Sequence, residues 1–197
     1  MKNRIITISR QFGSGGREIG EELAKRLNIS FYDKEIFDEA SKNSGIDTKF
    51  FELFEKRTDY YFSAAFQSDI ANSYISLGDR VFLSLARTIQ EIAEREPCVI
   101  VGRGANNILA KRDDVLNVFI YADKNKRISK IADVYGITFE KAKKYTEIVD
   151  KSRIRYLKAY TNQKFGNAED YHLCINSGAV GIESCVSAIK SLYDRQL

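Results

Sequence analysis

The sequence contains one histidine, His172, one proline, Pro97, and three cysteines, Cys98, Cys174 and Cys185. A single histidine leaves no material for a histidine-rich metal site, and nothing near His172 in the sequence supplies a nucleophile for Ser-His-Asp chemistry. Three cysteines, odd in number and without metal-type spacing, fit reduced thiols. Each lies among aliphatic residues and is expected to be a small buried hydrophobe rather than a catalytic thiol. No run of 18 or more apolar residues occurs, so no membrane-spanning helix is expected. The first ten residues, Met1–Arg10, are too short and, after Ile8, too polar for a signal peptide, and the expectation is a cytoplasmic chain. Internal repeats, low-complexity tracts and obvious linkers are also absent. The 197 residues therefore read as one domain, 1–197, with room for an appended lid. A content of 44% hydrophobic and 29% charged residues is that of a folded globular chain, not a disordered one.

The net charge is only +4, but it is unevenly spread. Residues 124–164 hold 12 Lys and Arg against 4 Asp and Glu, a local charge of +8 on a mildly acidic remainder. Such a segment suits a polyanion: nucleic acid, a membrane surface or a small molecule bearing several phosphates. A solvated helical face would give the same count.

Apolar β-branched runs alternate with helical patterns. Strands are predicted at Arg4–Ser9, Ile29–Tyr32, Cys98–Val101, Val115–Tyr121 and Tyr171–Ile175. Ile19, Leu23 and Leu27 recur at helical spacing after the first. Val81, Leu85, Ile89 and Ile92 stripe a longer helix that Pro97 ends. A short helix is expected over Ala105–Lys111, two more over Asn125–Tyr135 and Phe139–Tyr160, and a last one along Ile182, Val186, Ile189 and Leu192. Five short strands apolar on both faces imply a parallel sheet covered by helices, an α/β/α sandwich. Ligands of such sheets bind at the carboxyl ends of the strands, so the chemistry is sought at Gly13–Arg17, Asp33, Gly102–Gly104, Ala122–Arg127 and Asn176-Ser177. Residues 50–74 hold eight of the 23 aromatics. They suit a core or homodimer contact, or a wall for a nucleotide base, with an inserted stretch expected near 58–73.

Strand, glycine loop and helix in succession make a phosphate site from backbone N–H groups and a helix N-terminus. The loop Phe12-Gly-Ser-Gly-Gly16 nevertheless fails two formal patterns. A G-x-G-x-x-G fingerprint starting at Gly13 meets Glu18 where its third glycine belongs. A Walker loop with Gly15 as its second glycine meets Arg10, Gly16 and Arg17 where glycine, lysine and Ser/Thr belong.

Three stretches, Ser9-Arg-Gln-Phe-Gly-Ser-Gly-Gly-Arg-Glu-Ile-Gly20, Phe31-Tyr-Asp-Lys-Glu-Ile36 and Val99-Ile-Val-Gly-Arg-Gly-Ala105, resemble the cytidylate-kinase-like family of P-loop nucleoside monophosphate kinases. The likeness continues through Asp150-Lys-Ser-Arg153, Tyr156 and Tyr171-His-Leu-Cys-Ile-Asn-Ser177, covering essentially the whole chain. It implies a five-stranded P-loop fold with a helical lid, ATP and Mg2+ as cofactors, and a nucleoside monophosphate acceptor. Ordinary members carry a Walker lysine where this chain has Gly16, and Gly-Arg-Asp where it has Gly102-Arg103-Gly104.

The resemblance implies ATP binding by Gly13, Ser14, Gly15, Gly16, Arg17 and Glu18, with Arg17 the nearest substitute for the lysine. Asp33, Gly102, Arg103 and Gly104 are the expected acceptor residues, with 34–76 as a helical acceptor-binding region. Asp33 is expected to hold magnesium, orient the acceptor, contact a ribose or cap the helix near Lys34. Glu18 either replaces the Walker hydroxyl or is a surface capping residue. Residues 124–164 form the expected lid, with Arg127, Lys130, Asp150, Arg153, Arg155 and Tyr156 its candidates and Arg127 and Arg153 catalytic. Asp150 and Arg153 also suit an ordinary helical ion pair. With like charges and no dense apolar stripe, this segment is expected to move until ligands close it. The leading reading is a kinase moving the γ-phosphoryl of ATP to CMP or dCMP. A nucleotide-binding regulator without catalysis, and a kinase of another small acceptor, are the alternatives. Nucleic acid is the least expected partner, and a membrane is not expected.

Overall fold

The computed structural model describes residues 5–56 and 76–195. Five strands, β1 (Ile5–Arg10), β2 (Ser30–Tyr32), β3 (Cys98–Val101), β4 (Val115–Tyr121) and β5 (Leu173–Asn176), form one sheet in the order β2-β3-β1-β4-β5. Every pairing is parallel. The helices are α1 (Gly16–Leu27), α2 (Glu35–Ser44), α3 (Thr48–Lys56), α4 (Leu77–Arg95), α5 (Ala105–Ile108), α6 (Lys124–Tyr135), α7 (Phe139–Thr161) and α8 (Ser177–Asp194).

Side chains alternate faces along a strand, and the two cores follow that period. Cys98 and Ile100 of β3 pack with α2, α3 and α4 around Phe37, Phe51, Leu85 and Ile89. Val99 and Val101 of the same strand point the other way, onto Ile19 and Leu23 of α1 and Val186 and Ile189 of α8. The result is the expected three-layer α/β/α sandwich. Its centre is β1, whose connection crosses towards one edge of the sheet while β4 leads to the other. Gly13–Gly16 thus sits at the carboxyl end of the central strand, where the topology switches direction.

Several sequence expectations need correction. The helix after β3 closes at Ile108 rather than Lys111. The last strand begins at Leu173, because Ala168–Asp170 takes up a 3-10 turn just before it. Cys98 and Cys185 are buried, but Cys174 is only half-buried, on edge strand β5. The basic segment also has a small apolar core: Ile128, Ile131 and Ala142 are buried with Phe12, Ala132 and Ile137 against them. Most of the aromatic-rich stretch, including the insertion expected near 58–73, lies outside the described residues. Phe51 and Phe54 lie within them and are buried.

Candidate functional site

The loop after β1 turns on two left-handed residues, Gly13 at φ +79° and Gly15 at φ +80°. Gly15 occupies the N-cap of α1 without a side-chain capping bond. Ser14 does not face outward, since its hydroxyl donates to Gln11 O at 2.8 Å, with Ile120 O also near at 3.2 Å. The first-turn N–H groups of α1 are therefore presented with the positive end of its dipole, which is an anion cradle.

The basic helices lie directly on this loop. Arg127 is buried, and its guanidinium donates to Phe12 O (2.8 Å), Ala122 O (3.2 Å) and Asp150 Oδ2 (2.7 Å). The other oxygen of Asp150 accepts from Phe12 N at 2.8 Å. A Cβ on Gly13 would lie 2.8 Å from Arg127 O, so the loop and α6 meet in close contact there. Arg127, expected on an open lid, instead braces the loop from behind. Lys130 pairs with Glu18 at 2.6 Å across the loop mouth. Its Nζ lies 3.3 Å from where a Cβ on Gly15 would stand.

The acceptor-side residues gather around Asp33. Arg17 Nε reaches Asp33 Oδ2 at 3.0 Å, Arg103 reaches Oδ1 at 3.1 Å, and Arg10 lies 4.0 Å from Oδ1. Two sequence expectations change here. Asp33 caps no helix: the N-cap of α2 is Lys34, with no side-chain capping bond. Its oxygens face guanidinium groups, an arrangement that repels a magnesium ion rather than binding it. Arg17 leans away from the glycine loop onto Asp33 and Glu21 (2.9 Å), and remains 56% exposed.

Arg103 takes a left-handed backbone, φ +61°, between Gly102 at +79° and Gly104 at +70°. That conformation costs a non-glycine residue roughly 1–2 kcal/mol. Tyr156 Oη donates to Arg103 O at 2.9 Å, and the guanidinium sits 4.2 Å from the centre of the Phe37 ring. The strained turn thereby puts a buried cation at the end of β3.

Arg10, Arg103 and Arg153 form the charged wall of an open cleft. Phe37, Phe51, Phe54, Leu85 and Tyr156 supply its apolar walls, and Ser152 completes it. Arg153 donates to Arg10 O at 3.0 Å and lies 4.0 Å from Asp150 Oδ1, in the i,i+3 relation expected of that pair. Arg155 is exposed on α7. Hence Gly13–Gly16, Arg17, Asp33, Arg103, Asp150, Arg153 and Tyr156 do converge. Arg10, Phe37 and Ser152 are site residues that sequence reasoning missed. A signal for Arg10 existed, because it ends the central strand just before the loop. Phe37 gave none beyond the apolar face of α2.

Among the described residues no three His, Cys, Asp or Glu side chains gather as a metal site, and no helix is long and apolar enough to cross a membrane.

The family model of the cytidylate kinase-like family matches residues 5–179. No curated protein matches the chain. Among solved structures, an uncharacterised protein of Eubacterium ventriosum is 26% identical with a TM-score of 0.75, over 98% of this chain and 99% of that one. Shikimate kinase of Bacteroides thetaiotaomicron is 16% identical with a TM-score of 0.54, over 97% and 98% of the two chains. Deoxyadenosine kinase of M. mycoides, solved with dCMP and dCDP, is 13% identical with a TM-score of 0.51, over 97% and 99%. The last two likenesses speak for the fold, that of the P-loop kinases. With its sheet order, its loop and a family match over most of its length, the chain belongs to the cytidylate kinase-like family.

Proposed function

We propose that this protein is a phosphotransferase moving the γ-phosphoryl of ATP to a nucleoside monophosphate, with CMP or dCMP favoured. The observation that carries the reading is the composition of the acceptor cleft. Three arginines, Arg10, Arg103 and Arg153, meet aromatic walls in one cleft. Several arginines suit a phosphate dianion, which guanidinium groups grip through paired hydrogen bonds. Phenylalanine and tyrosine suit the flat face of a base.

The donor side fits the same reading. Kinases of this family type use ATP and Mg2+, and the uncapped first turn of α1 suits a triphosphate. Asp33 is committed to arginines and Glu18 to Lys130. A magnesium ion arriving with ATP would thus draw mainly on phosphate oxygens and water, as Mg2+ commonly does. Bound Mg2+ would neutralise charge on the donor phosphates. Residues 34–76 then serve as the acceptor-binding region and 124–164 as the basic lid over the donor. Gly13–Gly16 hold phosphate, Arg17 and Lys130 add charge beside the loop, Arg103 holds the acceptor and Arg153 neutralises the transferring group.

Gly16 in the lysine position favours a second reading, a nucleotide-binding regulator without turnover. One experiment separates the two: ADP release measured with ATP and Mg2+ against each nucleoside monophosphate. Release above the acceptor-free rate with CMP or dCMP supports the kinase. ATP binding without release for any acceptor supports the regulator.

A further inference from the structure

In a Walker loop, a lysine on the first turn of the helix brings positive charge to the outer phosphates. Gly16 stands there in this chain, and the geometry forbids a side chain. A Cβ on Gly16 would lie 2.6 Å from Arg10 Cβ and 2.9 Å from Arg10 Cγ. The other end of the same arginine closes a second glycine. A Cβ on Gly102 would lie 2.8 Å from Arg10 Cζ and would overlap Nη1. The Arg10 side chain thus runs from the donor loop to the acceptor loop, stem against Gly16 and head against Gly102. It is 12% exposed, lines the acceptor cleft and ends 4.0 Å from Asp33 Oδ1.

We propose that Arg10 supplies the charge that the glycine loop lacks, delivering it from the end of β1 instead of from the first turn of α1. The inference rests on the kinase reading above and adds the residue that acts between the two substrates. Arg17 and Lys130 are less suited. The side chain of the first is 56% exposed and that of the second 41%, against 12% for Arg10. Arg10 alone of the three spans both loops. In the reaction the bond from Pγ to the bridging oxygen of ADP breaks, and its electron pair stays on that oxygen. A lone pair of the acceptor phosphate forms the new O–Pγ bond. Arg10 keeps its proton throughout and neutralises the phosphoryl oxygens as they pass, with a planar fork that can face two oxygens at once. Gly16 and Gly102 are then the space this arginine needs, one for its stem and one for its head.

The test is Arg10→Gln, which keeps Cβ and Cγ against Gly16 and removes the charge. The turnover number is expected to fall about 100-fold or more, as when a transition-state donor is lost. The dissociation constant of ATP should change less than about tenfold, the split that marks an interaction made in the transition state. Arg10→Ala, with space left between the two glycines, should regain part of its turnover from added guanidinium ion, and wild type should not respond. Turnover of Arg10→Gln within about threefold of wild type overturns the proposal. So does a loss of ATP affinity as large as the loss of turnover. Melting curves identify a variant that has not folded, and the other variant then decides. If wild type turns over no nucleoside monophosphate, the kinase reading fails separately. Arg10 is then judged by binding of adenosine–cytidine pentaphosphate, whose phosphates bridge both pockets. A tenfold or greater loss in Arg10→Gln supports its place between the substrates, at about 1.4 kcal/mol per tenfold, and unchanged binding refutes it.

Discussion

Arg103 donates to Asp33 Oδ1 at 3.1 Å, and each of the two side chains is only 6% exposed. Burial strips both ions of water, and the pair is kept by geometry. The same carboxylate also faces Arg17 and Arg10, so one buried negative charge serves three cations. Asp33 is therefore the counter-ion of the arginine cluster at this cleft.

Removing that counter-ion should be costly. Asp33→Ala is expected to lower stability by about 3–5 kcal/mol, the usual result of orphaning a buried charge. Inorganic pyrophosphate should raise the melting temperature of the variant more than that of wild type, because the anion replaces the lost carboxylate. Equal rises in the two proteins would contradict the counter-ion role.

Arg103→Ala should act on the acceptor. Loss of a charged hydrogen bond is worth roughly 1.5–3 kcal/mol, so the Michaelis constant for the acceptor should rise about tenfold or more. That for ATP should change far less, since Arg103 lies in the turn after β3 and not in the glycine loop. Steady-state kinetics with each substrate varied in turn decides this, and equal shifts would assign Arg103 to structure.

The Arg127–Asp150 pair predicts a stability effect that is not additive. Asp150 accepts from both Arg127 and Phe12 N, and Arg127 is buried. Asp150→Asn alone should cost about 3–5 kcal/mol. The double variant Arg127→Gln/Asp150→Asn should cost less than the two single changes together, by more than about 0.5 kcal/mol. Urea unfolding of the four proteins completes the cycle. Strict additivity would show that the two residues act independently.

Alkaline pH should weaken the fold through Cys98. Burial, with the nearby Glu96 charge, pushes its thiol from 9.0 up to about 12. Burial also raises Tyr171. Below pH 9 both states keep the thiol protonated, so its contribution to stability is constant there. Above that the unfolded chain releases protons that the folded chain retains, and stability falls as pH climbs towards about 12. Urea midpoints should decline from pH 8.5 upward, less steeply in Cys98→Ala. An identical slope in that variant would clear Cys98 as the cause.

The fold was legible because its signals are local. Cys98–Val101 and Val115–Tyr121 are strands by β-branched and aromatic content alone, and both have the predicted bounds. Gly136, between the helices expected over Asn125–Tyr135 and Phe139–Tyr160, is a left-handed C-cap. The site was legible only where one loop carries it, as at Gly13–Gly16. Asp33 looked like a cap because it precedes a helix, whereas its partners come from three distant elements. Arg127 looked like a lid charge because it opens the first helix of the basic segment and resembles the family's first lid arginine, yet Asp150, 23 positions on, holds it inward. Gly16 looked like a missing lysine. Its meaning depends on Arg10 across the strand–helix turn, a steric relation that no spacing pattern records.

Helix α7 touches three separate parts of the site with residues three apart. Asp150 holds Phe12 N, Arg153 holds Arg10 O and Tyr156 holds Arg103 O. A rigid helix rises about 1.5 Å per residue, so these contacts form one ruler about 9 Å long laid across the donor and acceptor loops. A ligand that tilts α7 at one end must move the backbone at the other. Substrate affinities should then be linked, and linkage is reciprocal: whatever factor ATP imposes on acceptor binding, the acceptor imposes on ATP. An order of substrate addition would consequently reflect access to the pockets rather than a difference in thermodynamic preference between them.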